Sequence, residues 1–238
     1  VRVYLLPHAG GSAGSYAAWA RALTPPGLRF VPVELPGRGT RLAEAPLTSM
    51  DEAVDGIVSV LESRPPQERF LLFGHSMGAQ IAYETTRRLA ESDRPLPQAL
   101  LVSGCRPPGA PQPTSLHERD DQGLLEGIVE LGGTPAQVLA NRDLMEMMLP
   151  VIRADLTLLA HYARQTRPTV LPCPVVAYGG TEDRLAGPEW ITGWRSTTAG
   201  PFHHRLFPGE HFFLHDQMSE VIADIAAVAR GASAATGG

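Results

Sequence analysis

Residues 70–78 constrain this chain more than any other stretch. Phe70-Leu71-Leu72-Phe73 is apolar throughout, and Gly74-His75-Ser76-Met77-Gly78 follows at once, ahead of a helix-forming run from Met77 to Ala90. A short apolar run bounded by turn residues reads as a fully buried strand. A strand that must become a helix within one residue needs small side chains two before and two after the apex, so that neighbouring backbone can pass. The apex serine is then held in a strained conformation with its hydroxyl above the sheet. The spacing therefore presents Ser76 for attack on a carbonyl.

The rest of the chain supplies the sheet. Val1–Leu6 reads as a buried strand, and 7–14 as a loop of small residues that includes Gly10-Gly11. Tyr16 to Leu23 has helical spacing and is halted by Pro25-Pro26-Gly27. Leu28–Leu35 is a second strand, ended by Pro36-Gly37-Arg38-Gly39. Thr48 or Ser49 can cap a helix whose stripe is Met50, Val54, Ile57, Val58 and Leu61. Ala99–Ser103, Pro174–Tyr178 and the short Arg205–Phe207 complete the strands, and Met218–Val228 is a closing helix with Val221, Ile222 and Ile225 inward. Strands that alternate with helices and are apolar on both faces predict an α/β domain over residues 1–238, with a mainly parallel sheet covered on both sides.

Residues 107–169 break that rhythm. A proline-rich departure, Pro107 to Pro113, leads into helical segments over 122–131, 135–139 and 144–162 with no strand among them. Their Met and Leu stripes predict a helical lid inserted in the domain, whose adaptable apolar face lines an acyl pocket as well as packing on its neighbours.

Composition removes several function classes. The chain has 238 residues and a net charge of -5. Its basic residues are all arginine, without a basic block that would mark a nucleic-acid surface. No apolar run reaches the length of a membrane span, and the first residues read as a strand, not a signal peptide, so a cytoplasmic enzyme is expected. Cys105 and Cys173 are too few for a disulfide scaffold and read as buried free thiols. No H-E-x-x-H, Cys/His cluster or G-x-G-x-x-G suggests a metal or nucleotide, so no cofactor is expected.

A serine nucleophile needs a base, and the base an orienting acid. In the α/β-hydrolase arrangement these follow the serine in the order Asp or Glu, then His. Asp183 stands just beyond the strand ending at Tyr178, at the carboxyl edge where such sheets place active groups. His211 lies in the loop between the last short strand and the last helix. Glu182 and Glu210 are the acidic rivals. Among the other histidines, His75 should point away from Ser76, and His8 is expected to shape the pocket floor. His203, His204 and His215 read as surface or packing residues, and His117 and His161 fall in the insert. The oxyanion of a tetrahedral intermediate needs preorganised donors: the amide of Met77, and a second from residues 7–11, for which Ala9 is favoured.

With these residues placed, the sequence resembles the type II, or editing, thioesterases that accompany polyketide and nonribosomal peptide synthases. The matching segments are Leu6-Pro7-His8-Ala9-Gly10-Gly11-Ser12, Glu34 to Gly39, Gly74 to Ala79, Leu131 to Pro135, Leu149 to Asp155, and Pro201-Phe202 through Pro208 to Leu214. The resemblance implies the α/β-hydrolase fold, a triad on Ser76, Asp183 and His211, and oxyanion amides on Met77 and Ala9. It implies hydrolysis of acyl groups from the phosphopantetheine arm of an acyl or peptidyl carrier protein through an acyl-serine intermediate. It also places Leu35–Gly39 near the site entrance. Arg184 stands where the family often has proline. A monomer is expected. Carriers are commonly acidic and this chain is itself net negative, so docking should rest on local arginines, with Arg38, Arg41, Arg142, Arg153 and Arg184 as candidates. A product-releasing or cyclising thioesterase domain, a broader esterase and a non-catalytic carrier-binding module of the same fold are the rival readings.

Overall fold

At the centre of the computed structural model, which describes residues 1–21, 26–111, 115–131, 141–165 and 168–234, lies a strand buried at all six positions, β3 (Phe70–His75). The other strands are β1 (Arg2–Leu6), β2 (Arg29–Pro32), β4 (Leu100–Ser103), β5 (Val175–Gly180) and β6 (Phe202–Phe207). They form one sheet in the order β2-β1-β3-β4-β5-β6, and every neighbouring pair is parallel. The helices are α1 (Ala17–Arg21), α2 (Met50–Glu62), α3 (Met77–Glu91), α4 (Asp121–Leu131), α5 (Arg142–Gln165), α6 (Pro188–Gly193) and α7 (Met218–Ala234). The expected helix over 135–139, with most of the Leu131 to Pro135 motif, lies outside the described residues.

Period-2 alternation sorts each strand between two cores. Tyr4, Leu6 and Leu72 face one side, where they pack with Ile57 and Leu61 of α2, Ile81 of α3 and Trp194. Val3, Leu5, Leu71 and Phe73 face the other, against Trp19 of α1 and Val221 and Ile225 of α7. Burial on both faces is what a parallel sheet requires. β6 is longer than the sequence pattern suggested. It begins at Phe202, and His203, His204 and Arg205 are exposed along an edge strand, where no apolar run is needed. β2 is shorter than expected and ends at Pro32, although the Val33 amide still donates to Leu5 O at 2.9 Å.

Between β4 and β5 the described residues hold helices only. Leu124 and Ile128 of α4 pack with Met145, Leu149 and Ile152 of α5 in a small core of their own, with Leu116. Farther along α5, Leu158 joins the main core. α5 therefore bridges the insert and the sheet. Its first half belongs to one core and its second half to the other.

Candidate active site

The turn from β3 into α3 is tight because two glycines let backbone cross. A Cβ on Gly74 would lie 2.0 Å from Gly78 O, and one on Gly78 would lie 2.2 Å from Leu6 O. Ser76 between them has φ 55° and ψ -116°, a left-handed conformation that costs a non-glycine residue about 1–3 kcal/mol. Its amide donates to Ser103 O at 2.8 Å, which ties the turn to the end of β4. Its side chain reaches a cavity while the flanking His75 and Met77 stay buried. We expect Gly78→Val to leave little folded protein, because a branched side chain meets Leu6 backbone that cannot move without shifting β1; soluble yield and a thermal melt check this.

Asp183 and His211 arrive from the ends of β5 and β6. His211 Nδ1 lies 2.9 Å from Asp183 Oδ2. The other carboxylate oxygen, Asp183 Oδ1, accepts from the amides of Leu185 at 2.8 Å and Ala186 at 2.9 Å. Burial pushes this carboxyl up, but the bond and charge of His211 and the two amides outweigh it, so it sits below the usual aspartate value. Both side chains are buried. The rivals Glu182 and Glu210 are exposed.

Ser76, Met77, His211, Ala9 and His8 all line one cavity of about 170 Å³. That is far more than the roughly 10–15 Å³ one water requires, so the space is of ligand size and not a packing defect. Its far wall is apolar: Ile128 from α4, and Met148, Ile152, Leu156 and Leu159 from α5. Met77 opens α3, so its amide stands at the positive end of a 15-residue helix. Ala9 lies in the loop after β1 and lines the same cavity. Four of the five site residues expected from the sequence, Ser76, His211, Met77 and Ala9, thus border a common space, and the fifth, Asp183, reaches it through His211.

Sequence reasoning missed the histidine and aromatic packing around that space. Phe212 sits edge-on to His8 at 4.9 Å and to His211 at 5.1 Å between ring centroids. His75 is buried beneath, 5.0 Å from the His211 ring, with Nδ1 3.0 Å from Ser103 Oγ. Gly104 (φ 54°) is required beside it, since a Cβ would come within 2.5 Å of His75 Cε1. Burial, then the charges of His211 and His215 and of its remaining cationic neighbours, holds His8 neutral down to a pKa of about 4, and burial likewise holds His75 well below its usual value. The folded pKa lies below the unfolded one. The associated stability is therefore complete above about pH 6.5 and is lost as pH falls from there toward 4. We expect the melting temperature to drop over that window, and to drop less in His8→Gln; a melt series from pH 7.5 to pH 4 checks it.

Cys105 and Cys173 are buried free thiols. Cys105 borders the cavity, but burial pushes its thiol up to about 12, so it stays protonated and is a poor nucleophile. The arginines proposed for docking divide. Arg38 is a correction: it is 5% exposed and forms a bidentate pair with Asp155, so it cannot meet a partner at the surface. Arg153 is already engaged within the insert, by His117 O, Arg119 O and Asp121. Arg41 and Arg142 pair with Glu44 and Glu146 within their own turns, and Arg184 is exposed. Among the described residues there is no His, Cys, Asp or Glu cluster able to hold a metal, and no helix long and apolar enough to cross a membrane.

Comparison with known proteins identifies the family. The thioesterase domain family matches residues 1–228. The thioesterase PikA5 of Streptomyces venezuelae is 37% identical over 98% of this chain and 83% of its own length. The solved structure of ClbQ from the colibactin pathway has a TM-score of 0.90 at 31% identity, covering 98% of both chains. The type II thioesterase BorB of the borrelidin cluster has a TM-score of 0.85 at 36% identity, covering 95% of this chain and 91% of its own. An extended family match, relatives above 30% identity over nearly the whole chain and a superimposable fold place this chain in the thioesterase domain family, among the type II thioesterases.

Proposed function

We propose that this thioesterase removes aberrant or stalled acyl groups from the phosphopantetheine arm of an acyl or peptidyl carrier protein, acting as a cytoplasmic monomer. One observation carries the reading: a strained serine and a histidine paired with a buried aspartate, Ser76 and His211, border a single cavity whose other wall is apolar. Ser76 Oγ attacks the thioester carbonyl carbon while His211 Nε2 takes the hydroxyl proton. The oxygen becomes negative and is met by the amides of Met77 and Ala9. Collapse breaks the carbon–sulfur bond, and His211 returns the proton to the departing thiol. The acyl-serine is then opened by water through the same groups, which frees the acid and restores Ser76. The acyl chain lies against α4 and α5. Residues 107–169, which include both helices, serve as a lid that must let the arm reach Ser76.

A hydrolysis panel tests this reading: short, branched and long acyl groups on carrier protein, on coenzyme A and on small oxygen esters. The expected order is short acyl carriers first. Efficient release or cyclisation of only a long elaborate chain would assign the chain to product release instead. A preference for oxygen esters would reject both.

A further inference from the structure

The buried Arg38–Asp155 pair does more than join a loop to a helix. Asp155 is 1% exposed and lies on α5, the helix whose Ile152, Leu156 and Leu159 wall the cavity. Its Oδ2 accepts from the backbone amide of Gly10 at 2.7 Å as well as from Arg38 Nη1 at 2.6 Å. Arg38 Nη2 donates to Asp155 Oδ1 at 2.7 Å, and Arg38 Nη1 also donates to Gly11 O at 3.1 Å. The peptide joining Gly10 to Gly11 is thus gripped at the amide before it and the carbonyl after it. Ile152 presses on the same loop: a Cβ on Gly10 would lie 2.6 Å from Ile152 Cγ1. Gly10 is the residue next to Ala9. Buried ion pairs of this kind are often replaceable by apolar residues without loss of stability, so stability alone gives no reason for one here.

We propose that Asp155, fixed by Arg38, is a positioning residue that makes the oxyanion loop depend on how α5 sits over the acyl chain. The proposal rests on the hydrolytic reading of Ser76 and Ala9. A chain that fits leaves α5 in place and the Gly10 tether intact. A chain too bulky for the cavity moves α5 outward. A displacement of about 1 Å would stretch the tether past hydrogen-bonding range, and misplacement on that scale costs about a hundredfold in rate. Size selection would then appear in kcat and not only in KM, which suits an enzyme that must spare full-length intermediates.

The test uses acyl-coenzyme A thioesters of increasing length and two double variants that both remove the ion pair. Arg38→Met with Asp155→Leu deletes the Gly10 acceptor. Arg38→Met with Asp155→Asn keeps an amide oxygen for it. We expect the leucine variant to lose about 10- to 100-fold in kcat on short chains, with KM moved little and its length preference flattened. The asparagine variant should recover at least several-fold of that loss. A purely structural pair would instead rank the two variants by melting temperature. Equal kcat in the two, or an undiminished kcat in the leucine variant, overturns the proposal while leaving the hydrolytic reading intact. A wild type inert toward every thioester overturns both. If the leucine variant does not fold, hydrogen exchange at the Gly10 amide of the wild type decides: strong protection supports the tether, and exchange as fast as in an open loop rejects it.

Discussion

Ser76→Ala is expected to lower kcat for a carrier-bound thioester by about four to six orders of magnitude, the range seen when a member of such a triad is removed. The fold should survive. The Ser76 amide keeps its bond to Ser103 O, and the turn is imposed by Gly74 and Gly78, not by the hydroxyl. The folding free energy should therefore change by no more than an ordinary half-buried substitution allows, about 1 kcal/mol. The measurement is thiol release followed under single turnover, with intact mass of quenched samples. Wild type should show a transient mass increase equal to the acyl group, and Ser76→Ala none. A variant that retains a tenth of the wild-type rate would mean that another group attacks. Cys105 also borders the cavity, but it is held as the neutral thiol. The experiment therefore separates nucleophilic catalysis from mere binding, and disposes of the non-catalytic module reading by the same result.

Local backbone rules made the turn legible in the sequence. Gly74 is dictated by a contact within the strand–turn–helix unit and Gly78 by the backbone of the adjoining strand β1, both fixed by the turn's shape, so their spacing survives as a pattern. Asp183 and His211 could be found because parallel topology delivers strand ends to one edge, whatever the details of packing. Arg38 could not be read correctly. Its partner Asp155 is 117 residues away, and no local signal tells a buried guanidinium from a solvated one. The same holds for the Gly10 amide, whose acceptor comes from an inserted helix. β6 was underestimated because the middle of this edge strand is exposed on both faces, and Phe202-His203-His204 carries no apolar run to announce it. The long-range polar ties and the aromatic cover of Phe212 over His8 and His211 are products of tertiary structure alone.

Asp183→Asn should cost about 10⁴-fold in kcat at neutral pH, and the geometry says why a nearly isosteric change is so damaging. The amides of Leu185 and Ala186 both donate to Asp183 Oδ1, so the side-chain oxygen of asparagine must occupy that position. Its NH₂ group then takes the place of Oδ2 and points at His211 Nδ1, 2.9 Å away. Nδ1 must accept this bond, which leaves the imidazole proton on Nε2, the nitrogen that has to take a proton from Ser76. The base is not lost but held in the wrong tautomer. No partner charge remains to stabilise the imidazolium once it forms. The variant should consequently regain activity at high pH, where hydroxide can assist, while Ser76→Ala should not. Substrate affinity, measured with a non-hydrolysable thioether analogue, should stay near wild type, because Asp183 lies behind His211 and is absent from the cavity lining. Nitrogen-15 spectra of His211 would report the tautomer directly. Wild type at neutral pH should carry its proton on Nδ1 and Asp183→Asn on Nε2; the same tautomer in both would break the link between this carboxylate and the state of the base.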